Sequence, residues 1–497
     1  MSGNTSSILL DPSSGLLKSS YEKFLPLIII GLNATLFLPT MGHGFLTDDF
    51  LHLTSVEYGT LRQGLLGANG GPFYSPTAWL SYSLDWALWG WNPYAFAAVN
   101  LLLHSANIFL LYLFARRLWR SHIAGWWAAL GYALLFPANV SAVMFIGTRA
   151  HLFVVCFALA SLLSALWLAR TEDRKFSALL STVFFATLAV FSKESGVTAP
   201  AAIALLLLHE RRSAHGGKPS IPTIAGLFAA LSAAVAAYAV IRSRSGAVHI
   251  TFGCKPFQYC PTAGTLIENL LRYGWRTFGL LSLVAVAIAM SQYLRGYRPR
   301  LDLVTKDDLL FSVLLFGVTI APFILISSRS FIYSYLPGVA AALLLGATAR
   351  SLHEKVSPVP SRHIRLAPVP VILVVAVYAT VMVIHSLKWM RNADVSAMVL
   401  NQIAAQSIKP EPNTFFVLRY SGKDKDIRMS DALGLGWGFG CALKLLYSSP
   451  TVNGTILQDG QEGQEGAACP ECEKPHVINL TYSLDSRKAP RVTVVRD

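Results

Sequence analysis

The chain has 497 residues, of which 53% are hydrophobic and only 14% charged, and its mean hydropathy is +0.48. A water-soluble protein carries nearer a quarter charged residues to wet its surface, so the composition excludes a wholly soluble globular chain. The formal charge of +14 follows the loops between apolar runs and calls for no nucleic-acid partner; topology and contact with anionic membrane lipids account for it.

In chain order, apolar runs almost free of charge recur from Phe24 to His385, while Lys388 to Asp497 has the make-up of a soluble segment. A bilayer core about 30 Å thick takes about 20 such residues as helix, and lipid offers the backbone no outside hydrogen-bond partner, so each run is expected to be helical. Eleven spans are predicted: about 24–40, 95–114, 123–138, 148–169, 176–191, 197–209, 222–241, 276–292, 309–326, 333–349 and 366–387. The first is not a cleaved signal peptide, since Asn33 lies within it and no small-residue cleavage site follows. With the N-terminus in the cytoplasm, the inner segments hold nineteen Lys and Arg residues against nine in the longer outer loops that precede the tail, as the positive-inside rule demands. The expected fold class is a polytopic α-helical membrane protein with a transmembrane part over 1–388, a first outer loop over about 41–94, and a small extracytoplasmic α/β domain over 389–497.

The first outer loop opens with Phe45-Leu46-Thr47-Asp48-Asp49-Phe50, an acidic pair just past the first span. It continues through Pro72-Phe73-Tyr74-Ser75-Pro76-Thr77 to Trp79, Trp86, Trp89 and Trp91, an aromatic density suited to helices in the head-group layer. The second span carries Asn100, His104 and Asn107 on one face, which must point into the bundle and reads first as a hydrogen-bonded seam. Arg149 opens the fourth span, Lys193-Glu194 stands at the end of the fifth, and Arg329 lies between the ninth and tenth. Asp48, Asp49, Arg149, Lys193, Glu194 and Arg329 all fall on one side of the membrane. That grouping points to a single site at its outer boundary.

Two carboxylates and several cations at a lipid–water boundary suit one chemistry. The cations hold the phosphate of a lipid-borne substrate, and a carboxylate takes the proton of an attacking hydroxyl. Composition alone equally allows a transporter or lipid flippase, although that function calls for polar residues along a path through the midplane.

The order of four motifs resembles the GT-C superfamily of membrane glycosyltransferases, most closely the bacterial relatives of the transmembrane O-mannosyltransferases that carry tetratricopeptide repeats. Those motifs are Thr47-Asp48-Asp49-Phe50; Tyr74-Ser75-Pro76-Thr77 with Trp79, Leu84-Asp85, Leu88-Trp89-Gly90, Asn92-Pro93 and Asn100-Leu101-Leu102-Leu103-His104; Phe191-Ser192-Lys193-Glu194; and Arg329 with Tyr333, Tyr335, Leu336 and Pro337. The resemblance implies inverting transfer from a polyprenyl-phosphate sugar to a protein, lipid or glycan acceptor outside a bacterial inner membrane. Asp48 is the implied base and Asp49 the alternative. Lys193, Arg329, Tyr333 and Arg149 are assigned to the donor phosphate, and Glu194, His104 and Tyr335 support them. No cofactor is fixed, and metal-independent and metal-assisted transfer both stay open. The sequence departs from the family at Ser75, over Phe136-Pro137-Ala138-Asn139-Val140-Ser141, and at His151 where an acidic residue is usual; an inactive scaffold subunit is therefore a further alternative.

Of six cysteines, Cys156 lies in a span and is expected to be inert, and Cys254 and Cys260 could close a short loop. Cys469-Pro470-Glu471-Cys472 is a single CxxC, more consistent with a disulfide or two thiols than with zinc. In the tail, Thr414–Tyr420, His476–Tyr482 and Arg491–Val495 read as strands, Asp431–Tyr447 as an apolar helix, and Gln458–Gly466 as a loop.

Overall fold

The computed structural model describes residues 12–68, 74–171, 175–212, 219–247, 252–254, 258–294, 304–354, 369–420, 429–434, 437–458, 476–484 and 490–495. Every predicted apolar run falls on a helix. These are α1 (Pro12–Phe37), α5 (Pro93–Trp119), α6 (His122–Ala133), α8 (Arg149–Arg170), α9 (Lys175–Val190), α10 (Ala199–Arg212), α11 (Ile221–Arg244), α13 (Leu280–Leu294), α14 (Lys306–Ile320), α15 (Gly338–Glu354) and α16 (Val369–Ala405). Five helical stretches among the described residues are long and apolar enough to cross a membrane, or six with one bent pair, and the chain is an integral membrane protein. The bent pair is where the predicted span 123–138 breaks: α6 ends at Ala133, and α7 (Ala138–Met144) leaves at 69°. Pro137 explains the break, because it has no N–H to continue the helix and pushes Phe136 out of the helical basin.

The ends are capped by the residues that local chemistry favours. Thr60 and Gln63 form a reciprocal capping box on α3 (Leu61–Leu66). Pro76 and Pro93 open α4 (Pro76–Trp89) and α5 from the first turn. Ser121, Ser220 and Thr305 accept backbone N–H bonds at the starts of α6, α11 and α14. The largest core lies inside the bundle, where α5, α6, α8, α10, α14 and α15 pack through residues such as Leu111, Phe114, Tyr132, Leu152, Ile203 and Leu343.

The tail is a four-stranded sheet in the order β2-β1-β3-β4, with β1 (Phe415–Tyr420) parallel to β2 (Asn453–Gln458) and β3 (Val477–Leu484), and β4 (Pro490–Val495) antiparallel to β3. Strand β2 was not expected; its Asn-Gly start disguises an apolar segment buried at Ile456 and Leu457. The single helix expected over 431–447 is two, α17 (Met429–Leu433) and α18 (Trp437–Leu446), because Gly434 turns the chain at φ +74. Cys254 and Cys260 are joined in a disulfide. Cys469, Cys472 and most of the expected loop lie outside the described residues.

Two features fix where the site sits. Helix α16 runs unbroken for 37 residues, about 55 Å at 1.5 Å per residue, so it leaves the bundle and continues under the sheet. The first loop also folds as helices, α2 (Asp48–Glu57), α3 and α4, and these share a core with the tail. Phe45, Phe50, Leu53 and Tyr82 pack in one cluster with Val399, Phe416, Phe439 and Leu443. Loop and sheet are thus one unit on one end of the bundle.

Candidate active site

Asp48 and Asp49 open α2, where the unpaired N–H groups and the helix dipole favour carboxylates. Their environments differ. Asp49 is completely buried and accepts from Leu46 N–H at 2.9 Å and from Gly147 N–H at 2.6 Å, one bond to each oxygen. It therefore ties the start of α2 to the turn that precedes α8. Burial pushes its carboxyl up to about 8, against the two N–H bonds and Arg149, while the charge of Asp48 adds to the rise. Asp48 is only half-buried, its Oδ1 lies 3.3 Å from the Thr47 hydroxyl, and burial raises it to about 6 against that bond and the charge of Lys193.

The backbone before Asp48 is strained. Thr47 has φ 22 and ψ −95, outside the basins open to an L residue. Ala432 of the tail holds it there by accepting from Thr47 N–H at 3.1 Å. Gly434 and Gly438 press against it so closely that a Cβ would stand 3.0 Å from the Thr47 hydroxyl in one case and 3.3 Å from its carbonyl in the other. Gly147 is confined in the same way: a Cβ there would meet Asp48 Cβ at 3.2 Å, Asp49 Oδ1 at 3.3 Å and His52 at 3.3 Å. Three side chains of α2 therefore converge on one glycine.

His52 shares Gly147 with Asp48, Lys193 and Tyr333 are within electrostatic reach of it, and His151 adjoins Tyr333. His52 is one helical turn on from Asp48, stacks on Tyr82 at 5.1 Å, and is held neutral, at about 3, first by burial and then by Lys193 and Arg149. His151 lies beside the stacked rings of Phe323 and Tyr333, with ring centroids 6.2 and 6.3 Å away, and within electrostatic reach of Lys193. Lys193 is lowered by burial, an effect that Glu194 and Asp48 oppose. Tyr333 stacks on Phe323 at 4.5 Å; burial raises its hydroxyl, and the charges of Glu194 and Asp48 add to that.

The remaining residues singled out in the sequence fall into separate groups. Glu194 bonds Arg242 at the end of α11, at 3.1 Å, while its charge still acts on Lys193. Arg329 donates to Glu268 and Asn269 of α12 (Ala263–Gly274), and its charge reaches Tyr273, whose ring is 6.5 Å from that of Tyr333. Arg149 stands apart from the phosphate role that the motifs implied. Four of the five N–H groups an arginine carries go to Asn100, Ser81, Asp85 and the Phe96 carbonyl, its side chain has no exposed surface, and it lies over the Tyr82 ring at 4.6 Å. It serves as a buried strut between α4, α5 and α8. His104 and Tyr335 form the expected seam inside the bundle: Tyr335 Oη is 2.7 Å from His104 Nδ1 and accepts from Asn107 at 3.1 Å.

Sequence reasoning missed His52, Arg242 and Tyr273. His52 was detectable, because residues four apart share a helix face and Asp48 opens a helix. Arg242 and Tyr273 carry no local signal. No group of three or more His, Cys, Asp or Glu side chains fit to hold a metal ion occurs among the described residues.

ArnT from Cupriavidus metallidurans bound to undecaprenyl phosphate superposes with a TM-score of 0.54 at 14% identity, over 94% of this chain and 97% of that one. The chain has the fold of ArnT. ArnT in the apo state gives the same TM-score at 12% identity over 92% of each chain. The archaeal oligosaccharyltransferase AglB from Archaeoglobus fulgidus, in complex with an inhibitory peptide and a dolichol-phosphate, superposes with a TM-score of 0.44 at 13% identity, over 88% of this chain and 64% of that one. No protein-family profile and no curated relative matches the sequence.

Proposed function

We propose that the chain is a membrane glycosyltransferase that moves a sugar from a polyprenyl-phosphate donor to an acceptor hydroxyl outside the membrane. The observation that carries this reading is Asp48: a carboxyl raised to about 6, within electrostatic reach of the half-buried Lys193 and one helical turn from the neutral His52, at one end of a bundle with the ArnT fold. A base with that pKa is ionised at neutral pH yet still binds a proton well. Asp48 takes the proton of the acceptor hydroxyl, whose oxygen attacks the anomeric carbon. The bond from that carbon to the phosphate oxygen breaks, and the polyprenyl phosphate leaves with the electron pair. Lys193 meets the charge that grows on the leaving phosphate, with Tyr333 and, farther out, Arg329 along its path. Attack opposite the leaving group inverts the anomeric centre.

The two aspartates take different roles: Asp48 acts as the base, and Asp49 positions it. Arg149 and Asp85 hold the floor of the site. The polar side chains of α5 are engaged by other parts of the bundle, His104 and Asn107 by the Tyr335 hydroxyl and Asn100 by Arg149, which supports a site at one end over a transport path through the middle. The sheet end then faces away from the cytoplasm, as the loop charges imply, and the relation to the O-mannosyltransferases belongs to the same proposal. The decisive experiment gives the purified chain in detergent a polyprenyl-phosphate sugar and follows loss of the donor. Asp48→Asn is expected to slow turnover by about 10²–10⁴-fold while still retaining the donor; turnover equal to wild type overturns the assignment.

A further inference from the structure

Two cavities flank α2, and helical phase separates them. One, of about 590 Å³, is lined by Phe45, Phe50, Trp86, Trp91, Leu400 and Leu445. The other is an open groove of about 480 Å³ lined by Leu51, Thr54, Ser55, Tyr58, Gln63 and Lys444, between α2, α3 and α18. At about 100° per residue, Phe50 points about 200° away from Asp48, whereas Ser55 returns to within about 20° of it, about 10 Å along the axis. Phe50 and the aromatic cavity thus face away from Asp48, while the groove reaches the Asp48 face at Ser55 and extends round the helix through Leu51, Tyr58 and Thr54, about 60°, 80° and 120° from it. The far wall of the groove leads to the same place. Ala68 N–H donates to the Ser245 carbonyl, Ser245 bonds back to Arg242, and Arg242 pairs with the Glu194 that adjoins Lys193.

We propose that this groove binds the acceptor, and that the acceptor is a saccharide arriving from the aqueous side. The inference rests on the transferase reading and adds the substrate class. The lining matches a sugar's own chemistry. The partly exposed ring of Tyr58 supplies an apolar face, and its hydroxyl donates to the Lys444 carbonyl at 2.9 Å, away from that face. Around it stand the Ser55 hydroxyl, the Gln63 amide and the Lys444 ammonium, which meets no carboxylate among the described residues. An extended peptide would need a free sheet edge or other unpaired backbone, and three helices form these walls. A lipid-borne acceptor suits the aromatic cavity, which lies on the face of α2 turned away from Asp48. The groove's volume is within the range of small-molecule sites.

The test is saturation-transfer NMR on the full chain in detergent. The probes are oligosaccharides released from the native cell envelope and, separately, a Ser/Thr-rich synthetic peptide. Retention of undecaprenyl phosphate is measured in parallel by native mass spectrometry. Wild type is expected to bind the oligosaccharides. Tyr58→Ala and Lys444→Leu should weaken that binding about tenfold, Tyr58→Phe should keep it, and all three should retain undecaprenyl phosphate like wild type. Absence of saccharide binding, unchanged binding in both weakened variants, or binding of the peptide instead overturns the proposal. Should Tyr58→Ala fail to fold, the comparison of Lys444→Leu with Tyr58→Phe decides. Wild type that binds saccharide without retaining undecaprenyl phosphate overturns the transferase reading and leaves the groove's ligand class standing.

Discussion

At Asp48 and Asp49 two neighbouring carboxyls differ in what the backbone asks of them, and this separates their mutants. Asp49→Asn puts an NH₂ group where an oxygen now accepts a backbone N–H. One buried donor then loses its partner, at a cost of about 1–3 kcal/mol. The thermal midpoint should fall and activity with it, whereas Asp48→Asn should lose turnover at an unchanged midpoint; the reverse pattern exchanges the roles. The pH profile follows from the same burial. Asp48 works as the ionised base, so kcat/KM should rise tenfold per pH unit up to about 6 and level off above it. Lys193 is needed as a cation and burial lowers it, so an alkaline fall should begin below the ordinary lysine range. Asp48→Asn should abolish the acidic limb in whatever turnover remains. Arg149→Lys tests the strut. A lysine cannot reproduce the fork to Asp85, Asn100 and Phe96, and a buried aspartate with its pairing weakened should cost up to about 3–5 kcal/mol. Its effect should appear as lost stability, with donor retention preserved in whatever protein stays folded.

Element by element, the sequence exposed what periodicity and charge can expose. Every apolar run became a helix, since lipid forces backbone groups to pair within the segment. The acidic pair stood out because α2 begins at Asp48, and the Lys193-Glu194 break stood out because charge interrupts an apolar run. Contacts between distant residues were invisible. Asp85 and Arg149 are 64 residues apart and Glu194 and Arg242 are 48 apart, and nothing local in either partner names the other. The tail helix splits at Gly434, one of the several glycines that weaken the apolar run over 431–447, but the contact of that turn with Thr47 carried no local signal. Gly434 takes φ +74, and its α-carbon faces the Thr47 hydroxyl. Gly434→Ala would add strain of about 1–2 kcal/mol at that φ and push on the residue that precedes the base. Turnover should fall with little change in donor affinity, while Gly226→Ala, at a glycine with open space around it in α11, should leave both unaltered. Equal effects of the two substitutions would show that Gly434 has no special hold on Asp48.

Across the whole molecule, the transmembrane part and the tail are tied together by packing on both sides of residue 388. Helix α16 passes through it, and the first loop packs with the sheet as well as with the bundle beneath it. One side of α2 meets Gly147 and the bundle, and the other meets α17 and α18, so Asp48 is held between the transmembrane helices and the tail. Lys193, Tyr333 and Arg329 belong to the bundle side alone. The two halves of the site should therefore respond separately to damage in the tail. Phe439 is fully buried in the core that α18 shares with Phe50 and Leu53, and Phe439→Ala should cost about 3–5 kcal/mol through the cavity it leaves. If the tail positions the base, this variant retains undecaprenyl phosphate while its transfer falls toward the level of Asp48→Asn, measured below its thermal midpoint. If the tail is only an appendage, transfer per folded molecule stays at the wild-type value. The two outcomes differ at a residue that touches neither substrate, so the measurement reports on mechanical support from the tail and on nothing else in the site.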